Sequence, residues 1–369
     1  MMLALYLRSC LLAWASLYLG LAFLGGLTHV WVHAMGVGAL LCLLSYFRLP
    51  PPDPESSHAL LGLDPRNLDG SPAKAAGARL GLGVIAHRAA GEDAPENSLS
   101  AVRLAAEKGA RCIEFDVAFT ADGQAVVLHD DTVDRTTDGR GPIQNMTWEE
   151  AQRLDVAAHH VLKEAFSPER LPSVDAFVSE CLALNLKMIM DLKSYREPEK
   201  TARFAIELFQ RFPGLYSRML VSSFFPHLIY LIRRQDPKIV GCLAWRPGFL
   251  AYQHYGPPLN GPRFDSPLQH YLARAGDVVL QWSVHEFLWY FLGLSAVAIE
   301  KNVLTPEYVQ LWRERGVRIL AWTVNNSLQK YYLENYLRVT IMSDSLDRIP
   351  IEEYIQTTQP DHERSPDSQ

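Results

Sequence analysis

The chain has 369 residues, 48% of them apolar, and about 270 remain after an apolar N-terminal stretch, enough to bury the core of one large α/β barrel. Its 35 basic and 41 acidic side chains leave a formal net charge of −6, so no global positive field recommends nucleic acid as a partner. The five cysteines (Cys10, Cys42, Cys112, Cys181, Cys242) are odd in number and scattered, mostly inside apolar runs, which argues against a disulfide framework or a zinc site and for small buried thiols.

From Met1 to Phe47 only Arg8, His29 and His33 could carry charge. The stretch divides near Gly25-Gly26 into Met2 to Leu24 and Leu27 to Phe47, each long enough to cross a hydrocarbon core of roughly 30 Å. A cleaved signal peptide has an apolar region of only about 7 to 15 residues. Residues 1–48 are therefore expected to be a membrane anchor of one or two transmembrane helices, in the plasma membrane or an endomembrane. One crossing and two crossings place the following domain on opposite sides, and Arg8 and Arg48 flank both ends, so the positive-inside rule does not choose between them. The sequon Asn145-Met146-Thr147 favours an extracellular or lumenal domain. Residues 49–79, with Pro50-Pro51-Pro52-Asp53-Pro54 and Ser71-Pro72-Ala73, read as a Pro/Ser-rich tether.

Across residues 80–353, short apolar runs alternate with longer helical patterns, the signature of repeated βα units in a TIM-type (β/α)8 barrel. The expected strands are Gly83 to Ala86, Cys112 to Val117, Lys187 to Leu192, Met219 to Ser223, Val240 to Ala244, Ala296 to Ile299, Arg318 to Val324 and Val339 to Ser343. Expected helices cover Ser98 to Gly109, Val174 to Leu184, Glu199 to Phe212, Pro226 to Gln235 and Pro306 to Arg315. Ala121-Asp122-Gly123-Gln124 is a turn signal, so Val126 to His129 should fold back as a hairpin on the second strand and bring His129 towards Glu114 and Asp116. The apolar run Phe287 to Leu292 could suggest another membrane crossing. His285 and Glu286 interrupt it and the later strands must join the same barrel, so a buried or membrane-touching helix is expected. Residues 354–369 form a polar tail.

Several polar side chains sit at the ends or on single faces of these runs. Glu114 and Asp116, at i and i+2 of a strand, share one face. Unless this is a surface strand with one polar face, two ionised carboxylates there repel and lose hydration, and a hard divalent cation is the simplest compensation. Asp191 ends the run Met188-Ile189-Met190, and Lys193 follows on the same face; they are either a third carboxylate with a phosphate-neutralising ammonium or an ordinary ion pair. His87 and His129 both end apolar runs, and imidazole titrates near neutrality, as proton transfer to and from oxygen requires. Arg88 offers a planar fork that matches phosphate.

H-R-x(6)-P-E-N-S at His87 to Ser98, E-F-D-V at Glu114 to Val117, T-A-D-G at Thr120 to Gly123, V-V-L-H-D-D-T-V-D-R-T-T at Val126 to Thr137, D-L-K at Asp191 to Lys193, W-T-V-N at Trp322 to Asn325 and S-D-S at Ser343 to Ser345 together resemble the glycerophosphodiester phosphodiesterase family. The resemblance runs in order from Leu82 to Ile349, and the apolar N-terminus is similar to the membrane-anchored mammalian type that acts on glycerophosphoinositol and glycerophospho-N-acylethanolamines. It implies a phospholipase-C-like barrel that uses a divalent cation, Mg²⁺ first with Ca²⁺ or Mn²⁺ as alternatives, to hydrolyse a small glycerophosphodiester to glycerol 3-phosphate and an alcohol. On this resemblance Glu114, Asp116 and Asp191 would bind the metal, and His87 and His129 would be the acid/base pair. Arg88 and Lys193 would hold phosphate, Glu96 and Asn97 would support the site, and Trp322 and Asn325 would help wall it. Ala89, Ser98 and Asp191 stand where the family usually has glycine, threonine and glutamate; the shorter Asp191 requires a shifted ion or a bridging water. A lysophospholipase D releasing lysophosphatidic acid and a non-enzymatic membrane scaffold are the competing functions.

Overall fold

Buried on both faces, the strands of a parallel barrel have to be apolar almost throughout, and Met188-Ile189-Met190 or Met219-Leu220-Val221 satisfies that requirement. The computed structural model describes residues 13–14, 16–18, 20, 30–67, 82–193, 197–255 and 260–347. In it β1 (Ile85–Ala86) and β2 (Cys112–Phe119) pair in parallel, and β3 (Ala125–Val127) folds back antiparallel on β2 with Val127 opposite Val117. The barrel continues through β4 (Lys187–Leu192), β5 (Met219–Ser223) and β6 (Val240–Trp245). A small antiparallel pair, β7 (Tyr252–His254) and β8 (Asn260–Pro262), precedes β9 (Ala296–Glu300), β10 (Arg318–Trp322) and β11 (Thr340–Ser343), and β11 closes on β1.

These are the eight expected parallel strands, with the expected hairpin at β3. The helices follow their sequence signals. Ser98 and Ser173 cap α3 (Leu99–Glu107) and α4 (Val174–Ala183) through the backbone N–H groups of Ala101 and Ala176. Proline opens α5 (Pro198–Arg211), α6 (Pro226–Gln235) and α8 (Pro306–Glu314), where its missing N–H costs nothing.

Upstream of the barrel lie α1 (Val30–Phe47) and α2 (Pro54–Leu61). Among the described residues no helix is long and apolar enough to cross a membrane, and most of Met2 to Leu24 lies outside them, as do residues 68–81 and the C-terminal tail. The described part of the expected tether is not a free linker. Leu60 (0% exposed) and Leu61 (2%) pack with Ile85, Cys112, Ile189, Leu220, Cys242 and Leu320 inside the barrel, closing its N-terminal end. The Lys187 ammonium donates to the Leu60 carbonyl (3.0 Å) and Arg318 to that of Gly62 (2.8 Å). Proline-rich composition indicated an extended chain, but the apolar pair Leu60-Leu61 is what the open barrel floor selects.

The chain just before this plug is also fixed. Leu49 N–H donates to Phe291 O (2.9 Å), and the buried Arg233 guanidinium donates to the carbonyls of Pro50, Ile239, Leu292 and Gly293. Burial without a carboxylate partner lowers Arg233 to a pKa of about 10, which still leaves it charged at neutral pH. Gly293, at φ +59°, lies so close to the carbonyls of Leu49 and Pro50 that a Cβ would sit 2.6 to 2.7 Å from them.

The run containing Phe287 to Leu292 does not leave the barrel. Helix α7 (Pro267–Ser283) continues through a π-helical turn, Val284–Leu288, into Trp289–Phe291 and then β9. His285 pins that turn: its Nε2 is 2.7 Å from the Tyr308 hydroxyl and its ring packs edge-on to Trp245.

Leu60→Ala is expected to cost about 2–5 kcal/mol, the range for a buried leucine. Chemical denaturation of the full chain in detergent measures it; a loss below about 0.5 kcal/mol, typical of surface positions, would show that α2 is not part of the folded barrel.

Candidate active site

Alternation along each strand carries the interior positions of the barrel upward from the plug. Above Cys112 come Glu114 and Asp116, above Ile189 come Asp191 and Lys193, and above Leu220 come Ser222 and Phe224. Register places Asp116 beside Asp191, and Asp191 beside Ser222. Three carboxylates thus lie at neighbouring positions on the floor of the mouth, each less than a tenth exposed.

Their surroundings differ. Asp116 accepts from Lys193 Nζ (2.6 Å) and Asn97 Nδ2 (3.0 Å), with Arg88 Nε at 3.8 Å; burial opposes its charge, but these cations hold it far below the usual carboxylate range. Glu114 accepts the backbone N–H of Arg88 (2.8 Å), and burial together with the charge of Asp116 pushes it up to about 8. Burial likewise raises Asp191 to about 6, and its Oδ1 is buried without a hydrogen-bond partner. The floor is short of positive charge at Glu114 and Asp191. A hard oxygen-seeking cation would supply it, so the donor set fits a divalent ion. Among the described residues, no three acidic, histidine or cysteine side chains close to a common metal-binding point, because Asp116 is turned towards Lys193 and Asn97.

The two histidines come from different elements and each carries its own carboxylate. His87, just after β1, has Nδ1 2.5 Å from Asp344 Oδ1 and Nε2 3.9 Å from Glu114 Oε2. Burial opposes its protonation, but Glu114 and Asp344 outweigh it and raise the pKa above the ordinary 6.5. His129, delivered by the β3 hairpin, has Nδ1 2.5 Å from Asp130 Oδ1. Burial, helped by Lys193 and Arg88, lowers its pKa below 6.5.

Around these pairs lies a frame of charge-assisted hydrogen bonds. Arg135 donates to both Asp130 (2.6 Å) and Glu96 (2.7 and 2.8 Å), and Glu96 also takes the Arg88 guanidinium at 3.2 Å. Asn325 donates to Asp344 (2.8 Å) and Glu92 (3.1 Å). Glu96, Asn97 and Asn325 thus brace other site groups, and Trp322 lies in the wall, edge-on to Phe224 at 5.6 Å with its indole N–H buried and unpartnered. Asp130, Asp344 and Arg135 were not singled out from the sequence. The first two stand inside the H-D and S-D-S elements, and the signal for them was a carboxylate next to a strand end. Arg88, Ala89, Ala90 and Asn97 all adopt left-handed backbone (φ 50° to 66°), so Ala89 bears a strain that glycine would not.

A parallel barrel whose mouth joins buried carboxylates to two carboxylate-oriented imidazoles and to phosphate-matching cations is the architecture of a phosphoric diester hydrolase. The glycerophosphoryl diester phosphodiesterase family profile matches residues 87–348, and the chain belongs to that family. It is 36% identical over 309 residues to human glycerophosphodiester phosphodiesterase 1, covering 84% of this chain and 87% of the relative, and 38% identical to the Bos taurus protein over the same length. A glycerophosphodiester phosphodiesterase of Caldanaerobacter subterraneus is 28% identical over 246 residues, covering 66% of this chain and 85% of that protein. The fold also matches the structure of an Oleispira antarctica phosphodiesterase in complex with the product sn-glycerol-3-phosphate, with TM-score 0.54, 22% identity and coverage of 74% of this chain and 95% of that one.

Asp344→Asn keeps the shape beside His87 but removes the charge that orients and protonates it. Turnover is expected to fall on the order of 10²-fold, with KM changed less than about threefold. Steady-state kinetics test this, and near-normal turnover would remove Asp344 from the machinery.

Proposed function

We propose that the barrel hydrolyses glycerophosphodiesters to glycerol 3-phosphate and an alcohol, with glycerophosphoinositol as the first candidate substrate and glycerophospho-N-acylethanolamines as the second. The observation that carries this reading is the pair of His–Asp couples beside three buried carboxylates, with Arg88 and Lys193 at hand for phosphate. A divalent cation held by Glu114, Asp116 and Asp191, Mg²⁺ first, would polarise the phosphoryl oxygens. Arg88 and Lys193 neutralise the remaining phosphate charge. The opposite pKa directions divide the proton work between the imidazoles. His129, kept neutral by burial, takes a proton from the nucleophile, water or the neighbouring glycerol hydroxyl. With Glu114 given to the cation, Asp344 is the carboxylate left to keep His87 protonated, and His87 gives its proton to the leaving oxygen.

The aromatic wall of Trp322, Phe224 and Phe249 suits an alcohol with an extended apolar or ring face. It also keeps open the lysophospholipase D reading, in which an acyl chain lies along that wall. The N-terminal apolar stretch is proposed to anchor the enzyme in a plasma or internal membrane, with the barrel on the extracellular or lumenal side. Asn145 of the sequon Asn145-Met146-Thr147 is exposed, consistent with a glycan there, whereas Asn325, which begins the sequon Asn325-Asn326-Ser327, has its side chain committed to Asp344 and Glu92.

The purified full chain, offered glycerophosphoinositol, a glycerophospho-N-acylethanolamine and lysophosphatidylcholine, is expected to release glycerol 3-phosphate from the first two. Chelation should abolish the release and added Mg²⁺ restore it. Lysophosphatidic acid from the third alone would make it a lysophospholipase D, and no release from any of the three would support the scaffold.

For a glycerophosphodiester, the kcat/KM profile should be bell-shaped. Its rising limb lies below pH 6.5, as His129 loses its proton, and its falling limb above pH 6.5, as His87 loses its own. His129→Ala should remove the rising limb and lower turnover about 10²-fold or more; an unchanged profile would overturn the assignment.

A further inference from the structure

The insertion between β6 and β9 carries most of its large apolar residues on the wrong side for a barrel helix. In α7 the side chains of Leu268, Tyr271, Leu272, Val278, Val279 and Trp282 are 50–69% exposed, and none of the helix's residues is buried. The face turned towards the barrel carries Leu280, packed on the core, and otherwise mostly small or polar groups such as Ala273, Gly276 against Leu250, and Asp277. Asp277, the helix's one carboxylate, is spent inward, accepting the N–H groups of Leu250 (2.7 Å) and Ala251 (3.0 Å). The outward face therefore carries no acid, and Arg274 is its one cation.

The two ends of this helical run explain what covers that face. At the mouth, the segment gripped by Asp277 includes Phe249, which stacks on Phe224 (4.7 Å), and Phe224 in turn meets Trp322 of the wall. At the other end the run reaches Tyr290 and Phe291. There Arg48 lies 3.9 Å over the Tyr290 ring and Leu49 N–H bonds Phe291 O. These are the residues that leave α1, whose own Leu40, Leu43 and Tyr46 are exposed. One continuous helical run thus extends from the active-site rim to the exit of the apolar N-terminal helix. An exposed apolar face with interfacial aromatics, no acid and a cation is the composition of a helix lying in a headgroup layer.

We propose that α7 lies in the plane of a phospholipid bilayer with Leu268, Tyr271, Leu272, Val278, Val279 and Trp282 turned into the lipid, so that the barrel rests on its side with its mouth at the membrane surface. This rests on the reading of the N-terminus as a membrane anchor, and it commits the second contact to lipid.

In a Cys10→Ser, Cys42→Ser background, a fluorophore on Val279→Cys, and separately on Leu272→Cys, is compared with one on Glu107→Cys. Glu107 lies in α3, between β1 and β2 on the far side of the barrel. The full chain is reconstituted into phosphatidylcholine vesicles containing a nitroxide-labelled lipid. The α7 labels are expected to be quenched by the lipid nitroxide at least about fivefold more than the α3 label, and aqueous iodide should show the reverse preference. Equal access of iodide to all three labels would overturn the proposal. Protection of the α7 labels from both quenchers, with cross-linked dimers, would overturn it in favour of a second copy of the chain. Turnover of soluble glycerophosphoinositol by the same samples reports the catalytic reading separately, and its loss would leave the quenching result intact.

Discussion

The structure depends on how three carboxylates are kept in a buried floor. Taking an ionised carboxylate out of water costs several kcal/mol, and neighbours of like charge add to it. Asp116 meets that cost with Lys193, Asn97 and the nearby Arg88, and so stays ionised. Burial and the like charges beside them outweigh what Glu114 gains from His87 and the Arg88 N–H and what Asp191 gains from Lys193 and Ser222, so both are pushed up towards the neutral form. The asymmetry creates a local demand for positive charge, and it arises because the barrel closes: Glu114 and Asp116 come from one strand, Asp191 from the next, and only their parallel register brings them together.

The same logic extends outward through the frame of ionic hydrogen bonds. Arg135 links Asp130 to Glu96, Glu96 reaches Arg88, and Arg88 looks back at Asp116, so the second imidazole and the floor share one charge network. On the other side Asn325 holds Asp344, which holds His87. Each imidazole has Nδ1 committed to a carboxylate, which leaves Nε2 for the proton transfers proposed above. Glu96, Asn97 and Asn325 hold other polar groups in place, a position that a polar residue's place in sequence does not reveal.

Much of this was legible in the sequence for a simple reason. Apolar runs of strand length bounded by turn residues become barrel strands, and polar residues ending those runs stand out at the mouth, so His87, Glu114 and Asp116 could be singled out from pattern, while Asp191 stood open between a third carboxylate and an ordinary ion pair. The hairpin at β3 was legible because Ala121-Asp122-Gly123 punctuates two β-like runs. What escaped was long-range. That Asp344 would meet His87 depends on β11 closing against β1, a pairing separated by almost the whole barrel sequence. That Leu60 and Leu61 would plug the floor depends on a cavity that exists only once all eight strands are in place. Proline-rich composition reported the local stiffness of residues 49–62 and not their destination.

The plug and the Arg233 clasp bear on more than stability. A membrane anchor followed by a flexible linker would let a barrel tumble above the bilayer and take up any orientation. Here the chain passes directly from α1 into Leu49 and Pro50, which are hydrogen-bonded to Phe291 and Arg233, and then into a helix buried in the barrel floor. A hydrogen bond from a charged group contributes about 1.5–3 kcal/mol, and Arg233 joins four carbonyls from three segments, so an arginine buried without a carboxylate depends on keeping them in place. The exit of the apolar helix is thereby rigid with respect to the strands. If α1 enters a membrane as proposed, its direction is transmitted to the mouth of the barrel without a hinge among these residues, and the orientation of the site follows from the fold rather than from diffusion of a tethered domain.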